Sequence, residues 1–543
     1  MLLQSTLAQP HLYSPQFHIT TNASSSYSLQ FPSGFCNSTN LSSISSRKHP
    51  SCITCYVPLV HNYGTMDYEN KPPLKWVYYY KRISLMENPE KGAASILNQC
   101  ENEGKMFTKW ELSRVVKELR KFKRYKLALE VYEWMNTRAD RFRISTSDTA
   151  IQLDLISKVQ GIPDAEDYFM KLPDSLKDKR IYGALLNSYV RAKKKTKAES
   201  MISQMKDRGY ASHALPYNVM MTLYMNIKDY DKVELMVAEM MDKQIPLDIY
   251  TYNIWLSSCG SRGSAEKMEQ VFEQMKLDST INPNWTTFST MATMYIKMGQ
   301  VEKCEEYLRK VEGRISGRDR MPYHFLISLY GSSGNKEEAL RAWNNYKETF
   351  PTIPNLGYHA IISSLVRVDD IEMAEKIYEE WLTVKSAYDP RIANLIMGWY
   401  VRNGNFEKAE EFFQDIVDVA GGKRSPITWE ILGEIYIKKK RISEALSCLQ
   451  EATLVEGSKF WKPKPTNVST ILKLCKQEGD EDSKEVLLGI LKKLGCLNDE
   501  VYASYISITD AGTLSDELPM EKDGADDVED NAEVFLNQLQ GSL

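Results

Sequence analysis

The sequence predicts an all-α solenoid, a stack of helical hairpins along one axis rather than one compact core. Three observations carry this. A small or medium-sized apolar residue recurs at intervals close to 35, at Ala128, Ala165, Ala198, Val233, Met268, Cys304, Ala339, Ala374, Ala409 and Ala445. Each interval holds two amphipathic segments separated by a turn signal. The pattern persists over about two thirds of the 543 residues. Periods of this size mark supersecondary units that cannot bury their apolar faces alone and must stack on copies of themselves.

The elements follow in order. Residues 1–66 hold no Asp or Glu, only Arg47 and Lys48 as full charges, and 19 Ser or Thr. This composition predicts an organelle transit peptide. Its Ser richness and scarcity of Arg favour a plastid over a mitochondrion. A secretory leader would need a positive start and a continuous apolar run, and neither is present. Within 67–108, residues 76–85 and 93–100 are expected to form N-terminal capping helices.

Ten copies are then placed at 109–145, 146–178, 179–213, 214–248, 249–284, 285–319, 320–354, 355–389, 390–425 and 426–464. In the copy 249–284, Tyr252, Trp255, Leu256 and Cys259 lie at helical spacing, so they share one face of a first helix. The stretch from Gly260 to Gly263 is read as its end and turn. Met268, Val271, Phe272 and Met275 then give a second amphipathic helix. The copy 390–425 repeats the pattern with Leu395, Ile396, Trp399 and Tyr400, then Asn403-Gly404-Asn405, then Ala409, Phe412, Phe413 and Ile416. The recurring small residue precedes a bulky pair by one turn, which places it where two helices cross closely. A degenerate eleventh copy is expected around Ser469, Leu472, Cys475 and Gly479, with 465–509 closing the stack. From Asp510 onward ten acidic residues face Lys522 alone, the composition of a solvated, disordered tail.

The whole chain carries a formal charge of −4, but the two ends hide the middle. Residues 67–509 contain 65 Lys and Arg against 62 Asp and Glu, a balance of +3. Weakly basic surfaces permit nucleic-acid binding without requiring it. Basic clusters occur at Lys117, Arg120, Lys121, Lys123 and Arg124, again at 193–197, and at 438–441. No stretch reaches 18 uninterrupted apolar residues, so no membrane-spanning helix is predicted.

Motifs for chemistry fail. Gly331-Ser-Ser-Gly334-Asn-Lys336 lacks the spacing and the closing Gly-Lys-Ser/Thr of a phosphate loop, and reads as a repeat turn. None of the seven histidines begins a His-x-Glu, so the zinc deaminase signature is absent. Cys52-x-x-Cys55 has no second Cys or His pair at zinc spacing. Cys259, Cys304, Cys448 and Cys475 fall at apolar repeat positions and read as core. His324 and His359 occupy equivalent repeat positions, which points to a repeated surface role. Acidic pairs such as Glu379-Glu380 and Glu410-Glu411 read as solvated helix exteriors. No metal, cofactor or catalytic site is expected.

The copies open with Pro-Tyr-Asn (216–218), Thr-Tyr-Asn (251–253), Thr-Phe-Ser (287–289) and Pro-Tyr-His (322–324). They close with Ile-Pro-Leu-Asp (245–248), Asn-Pro-Asn (282–284) and Ala-Tyr-Asp (387–389). This pattern resembles the pentatricopeptide repeat family of organelle RNA-binding proteins, in its P class of plain 35-residue repeats, over about 109–464. The resemblance implies a right-handed superhelix whose first helices line a groove for single-stranded RNA. It implies that one residue in the first turn of each first helix and one just before the next first helix together read one base.

Carried over by position, the pairs are Ser113/Ser145, Ala150/Asp178, Gly183/His213, Asn218/Asp248, Asn253/Asn284, Ser289/Asp319, His324/Pro354, His359/Asp389, Asn394/Ser425 and Glu430/Lys464. Asn218/Asp248 matches the family's uracil reader. Asn253/Asn284 and Asn394/Ser425 resemble pyrimidine readers leaning to cytosine, and Ser289/Asp319 a guanine reader. The fourth to sixth copies would then prefer U-C-G, with Leu215, Tyr250 and Thr286 stacking on the bases. Six pairs depart from the family's combinations, and Arg180 and Arg391 replace the apolar stacking residue. Each reading Asn could alternatively serve as a helix cap. The expected function is selective binding of a single-stranded organellar transcript, supporting its stability, processing, splicing or translation without catalysis. The alternative is a protein-binding scaffold in an organellar assembly such as the ribosome, and other RNA-processing or ribosomal proteins are possible partners under either reading.

Overall fold

The computed structural model describes residues 75–86, 91–315, 319–418, 421–455, 458 and 461–511, all within the unit Asn62–Leu543. The transit-peptide reading of 1–66, Cys52 and Cys55, and all of the acidic tail except Asp510 and Ala511 lie outside the described residues. Those described are helical, with no strand among them.

Two helices open the stack, α1 (Lys75–Ser84) and α2 (Gly92–Asn102). Hairpins follow: α3 (Lys109–Lys121) with α4 (Tyr125–Asn136), α5 (Thr146–Val159) with α6 (Ile162–Lys171), α7 (Lys179–Arg191) with α8 (Lys195–Asp207), and α9 (Ala214–Asn226) with α10 (Tyr230–Asp242). Next come α11 (Ile249–Ser261) with α12 (Ala265–Leu277), α13 (Trp285–Lys297) with α14 (Val301–Glu312), α15 (Met321–Ser332) with α16 (Lys336–Thr349), and α17 (Asn355–Arg367) with α18 (Ile371–Val384). The run ends with α19 (Pro390–Arg402) and α20 (Phe406–Asp418), α21 (Pro426–Lys438) and α22 (Ile442–Leu454), α23 (Pro465–Glu478) and α24 (Glu481–Lys493), and the single α25 (Glu500–Ala511).

Local chemistry sets where the first helices start. Thr108, Ser145, Asp178, Asp248, Asn284, Asp389 and Ser425 each stand at the N-cap, and their side-chain oxygens accept a backbone N–H from the first turn. The turn into the second helix is equally regular. One residue adopts a left-handed conformation, as at Gly263 (φ 76°) and Gly404 (φ 74°). The next N–H then returns to a carbonyl five residues back, as Asp229 N to Tyr224 O (2.8 Å) and Asn405 N to Tyr400 O (2.9 Å). Gly260 does not break its helix, contrary to the sequence reading. It lies inside α11, where a Cβ would come within 2.4 Å of Met294 on α13.

Lysine occupies the left-handed turn position four times, at Lys123, Lys193, Lys228 and Lys440 (φ 51–58°). A Cβ there costs about 1 kcal/mol, partly offset by the chain entropy that glycine would lose on folding. Lys228→Gly is therefore expected to raise the unfolding free energy by up to about 1 kcal/mol, read as a higher denaturation midpoint.

Consecutive first helices pack directly on one another, as α5 on α7, α11 on α13 and α15 on α17, while second helices wedge against the first helices of their own and the following hairpin. The recurring small residue sits in this wedge. Every one, from Ala128 to Ala445, is at most 1% exposed, which fits a close helix crossing. Cys304, one of these residues, and Cys259, Cys448 and Cys475 are all buried.

A polar ladder ties neighbouring hairpins. Tyr189, Tyr224 and Tyr330, near the ends of their first helices, donate to Glu166 (2.8 Å), Glu199 (3.0 Å) and Glu312 (2.9 Å) on the preceding second helix. Lys197, Lys232 and Arg341 reach the same carboxylates from the following second helix. Glu380 and Glu410, read from sequence as solvated, also take part in polar links between hairpins, with other geometries. Glu380 accepts from Tyr358 and Lys347, and Glu410 from Lys439.

Candidate nucleic-acid interface

The first turns of the stacked first helices form a row in which the predicted pairs can be followed one by one. The second member of a pair is the N-cap of the next first helix at Ser145, Asp178, His213, Asp248, Asn284, Pro354, Asp389, Ser425 and Lys464. The first member lies one turn into its own helix. Capping therefore belongs to the end-of-repeat residue, and the Asn side chains at 218, 253 and 394 do not cap.

Asn218/Asp248 and Asn394/Ser425 are in direct side-chain contact. Asn218 Nδ2 donates to both carboxylate oxygens of Asp248 (3.0 and 3.2 Å), and Asn394 Nδ2 donates to Ser425 Oγ (3.4 Å). Asn253 and Asn284 meet through a third residue: Asn253 Nδ2 donates to Thr286 Oγ1 (3.2 Å), which donates to Asn284 Oδ1 (2.6 Å). Ser289 is buried with its hydroxyl unpartnered, while Asp319 accepts the Met321 N–H (3.0 Å).

The remaining pairs are put to other uses. Ser145 is bound to Asp148 in a reciprocal cap and Asp178 caps α7, with Ser113, Ala150 and Gly183 making no polar bridge to their partners. His213 is exposed at its cap position. His324 corrects the expected surface role, because it is only 7% exposed and its Nε2 lies 2.9 Å from the Tyr346 hydroxyl. Burial, with Arg320 nearby, holds its pKa down to about 3, so the ring is neutral. Burial alone would raise the Asp389 carboxyl. Arg391 and His359 outweigh that and hold it below its usual range. Glu430 is buried and receives Trp461 Nε1 (3.1 Å), Asn467 Nδ2 (3.2 Å) and the Lys464 N–H, so it is committed to holding the chain end of its hairpin.

The stacking candidates lie one residue after the cap-adjacent position and face outward. Leu215 and Tyr250 are exposed and Thr286 is half-buried. The same register holds three large exposed side chains that were not picked out from sequence, Trp110, Leu356 and Ile427. Their signal was available: each stands two residues after an N-cap, like Leu215 and Tyr250. Arg391 folds back onto Asp389 (2.6 Å), and Arg180 onto Asp178 (2.9 Å) and Ser147 (2.6 Å).

Basic residues close many of the first helices, among them Lys158, Arg191, Lys297, Arg367, Arg402 and Lys438. They complement the negative ends of their helices. Adjacent ones reach the previous helix at the same level, as Arg367 Nη1 to Ser332 Oγ (2.5 Å) and Lys438 Nζ to Val401 O (2.8 Å). A polar row, an outward apolar row and a cationic row thus run along the same helices. Such surfaces suit an extended strand with bases and phosphates. Among the described residues no cluster of His, Cys, Asp and Glu could hold a metal ion, and no helix is long and apolar enough to cross a membrane.

These features define a helical-repeat protein of the two-helix, 35-residue kind. The model of the pentatricopeptide repeat matches residues 180–210, 216–245, 286–314, 358–383 and 392–418, and that of the pentatricopeptide repeat domain matches 235–298. A tetratricopeptide repeat model matches 428–457. A pentatricopeptide repeat-containing protein of Arabidopsis thaliana is 56% identical over 508 residues, covering 94% of this chain and 95% of the relative. A second from that plant, named mitochondrial, is 34% identical and covers 78% and 84%. The large ribosomal subunit protein mL101 of the same plant is 38% identical over 76% of this chain and 84% of its own. The chain belongs to the pentatricopeptide repeat family. Among solved structures, that of the pentatricopeptide repeat protein PPR10 in complex with an 18-nt psaJ RNA element aligns with a TM-score of 0.44 and 16% identity, over 78% of this chain and 61% of that one.

Proposed function

We propose that the protein binds a single-stranded organellar transcript along its first helices and acts by occupying it, without catalysis. The observation that carries this is the repeated two-residue unit at the junction of successive first helices, in contact at Asn218/Asp248 and Asn394/Ser425. Amides, carboxylates and hydroxyls at those junctions offer distinct donor and acceptor sets to base edges. The fourth to sixth repeats, with Asn218/Asp248, Asn253/Asn284 and Ser289/Asp319, are proposed to prefer U-C-G. Leu215, Tyr250, Trp110, Leu356 and Ile427 supply stacking surfaces, and exposed basic helix ends such as Lys297, Arg402 and Lys438 face the phosphates. An RNA held in this way would be shielded from exonucleases and kept from refolding.

The acid-free, Ser/Thr-rich leader and the names of several mitochondrial relatives support an organellar address. The leader's composition favours the plastid, whereas those names favour the mitochondrion.

Purified full-length protein is expected to retain pyrimidine-rich single-stranded RNA at low salt. Its affinity should fall steeply as salt rises, with a log–log slope of about 0.7 per phosphate neutralised. The likeness to the ribosomal protein mL101 favours a second reading, a scaffold in an organellar ribosome. Absence of RNA retention at low salt, together with co-sedimentation with the large ribosomal subunit, would establish that reading instead.

A further inference from the structure

The third residue of several first helices is matched to the reading residue of the repeat before it. Asn reads in only three of the ten repeats, at Asn218, Asn253 and Asn394, and those are the three followed by a Thr third in the next first helix, at Thr251, Thr287 and Thr428. The structure shows what the threonine does. Thr251 Oγ1 lies 2.8 Å from Asn218 Oδ1, and Thr428 Oγ1 lies 2.8 Å from Asn394 Oδ1. Both threonines are 0% exposed. The third case holds the same two groups unjoined: Asn253 Oδ1 and Thr287 Oγ1 are each buried without a hydrogen-bond partner, while the Asn253 amide nitrogen is drawn to Thr286.

Other reading residues are matched as well. Behind His324 the third residue is Gly357, where an added Cβ would come within 2.9 Å of the Tyr346 ring, whose hydroxyl holds the His324 imidazole. Behind Glu430 it is Asn467, whose amide donates to the carboxylate (3.2 Å).

We propose that the threonine third in the following helix is a positioning residue, which sets the orientation of the reading asparagine and so the base it accepts. The proposal rests on the RNA-reading function above. A carboxylate only accepts hydrogen bonds, so at repeat four the Asp248 oxygens must face the Asn218 NH2. That leaves the amide oxygen needing a donor. The Thr251 hydroxyl reaches both Asn218 Oδ1 (2.8 Å) and Asp248 Oδ1 (2.9 Å), and since the carboxylate is already supplied by Asn218 and the Thr251 N–H, its one proton goes to the amide. With its oxygen committed to Thr251 and one N–H to Asp248, Asn218 has one N–H left to offer a base, whose complement is a carbonyl oxygen such as those of a pyrimidine. Without the hydroxyl, the amide oxygen is left buried and unpaired, which favours its turning away. Thr251 also completes the cap of α11 with Asp248, yet Asp248 accepts the Thr251 N–H (2.8 Å) whatever the side chain at 251.

The test compares wild-type, Thr251→Val and Thr251→Ser full-length proteins, each selecting from a random single-stranded RNA pool, alongside crystal structures of the wild type and the valine variant. Thr428→Val serves as a second, independent site. Thr251→Val should flatten base preference about five-fold at one nucleotide and leave the others unchanged. Thr251→Ser should restore it. If wild type selects RNA and both valine variants keep its preferences at every nucleotide, the positioning role is overturned. If wild type retains no RNA, the reading function falls instead, and the crystal structures decide the positioning role alone. An Asn218 amide displaced from Asp248 in the valine variant supports it, and an unchanged amide refutes it.

Discussion

Replacing Asp154 with alanine is expected to cost the fold about 3 kcal/mol, one of the largest effects of any single polar change in the chain. Asp154 lies on α5 and is 7% exposed. Three cations from three successive first helices meet on it: Lys158 of its own helix (2.9 Å), Arg191 of α7 (3.1 Å) and Arg120 of α3 (3.5 Å). Removing the carboxylate leaves those charges facing one another. The figure stays at the low end of the range for broken buried pairs because the guanidiniums are about 30% exposed and water screens them. The pH dependence has a definite sign. Burial opposes ionisation of Asp154, but Lys158, Arg191 and Arg120 outweigh it and hold the carboxyl below its usual range. A depressed carboxylate contributes stability above its unfolded pKa of about 3.9 and loses it as pH falls through the lower folded value. Denaturant midpoints of wild type and Asp154→Ala should therefore converge below about pH 4. A constant gap down to pH 2 would show that the carboxylate's charge is not what stabilises this junction.

Gly331→Ala is expected to be comparably damaging although it adds one methyl group. Gly331 lies within α15 where α17 crosses it, and a Cβ built there would stand 2.4 Å from Ser364 Cβ and 2.8 Å from Ser364 Cα. The serine cannot swing aside freely, because its hydroxyl is bonded to Ile327 O (2.9 Å) and Ala360 O (2.8 Å). The two helices must separate, at a cost on the order of 3 kcal/mol. Gly183→Ala is the internal control. That position is also helical and has no neighbouring atom within 4 Å of a new Cβ. The methyl should there stabilise by about 0.5–1 kcal/mol through lower chain entropy in the unfolded state. Thermal unfolding of the two variants separates crowding from helix propensity, since propensity alone would raise both midpoints.

The hairpin architecture was legible because its signals are local. Helix starts are written in capping side chains such as Asp248 and Ser425, and turns in left-handed residues such as Gly404. The small buried residues keep the period even where Met268 or Cys304 replaces alanine, since any side chain that fits the crossing serves. What was hidden depends on contacts between repeats. Gly260 looked like a helix breaker because sequence records its propensity and not the Met294 side chain lying against it. His324 looked like a surface residue because equivalent positions suggested equivalent exposure, whereas packing against Tyr346, whose hydroxyl meets its Nε2, buries the ring. The juxtaposition of Asn218 with Asp248 and of Asn394 with Ser425, proposed to read bases, was legible by position alone. Their threonine partners were not, since Thr251 sits 33 residues from Asn218 and nothing local links the two.

Side chains at successive first-helix junctions are proposed each to meet one nucleotide. Full-length wild type and the Asn218→Ala/Asp248→Ala double variant, each selecting from a random single-stranded RNA pool, test this most directly. The double variant is expected to lose base preference at one nucleotide of the selected motif, with neighbouring positions unchanged and helicity intact by circular dichroism. A uniform loss of binding across all sequences accompanied by reduced helicity, or a selected motif identical to that of the wild type, would contradict it.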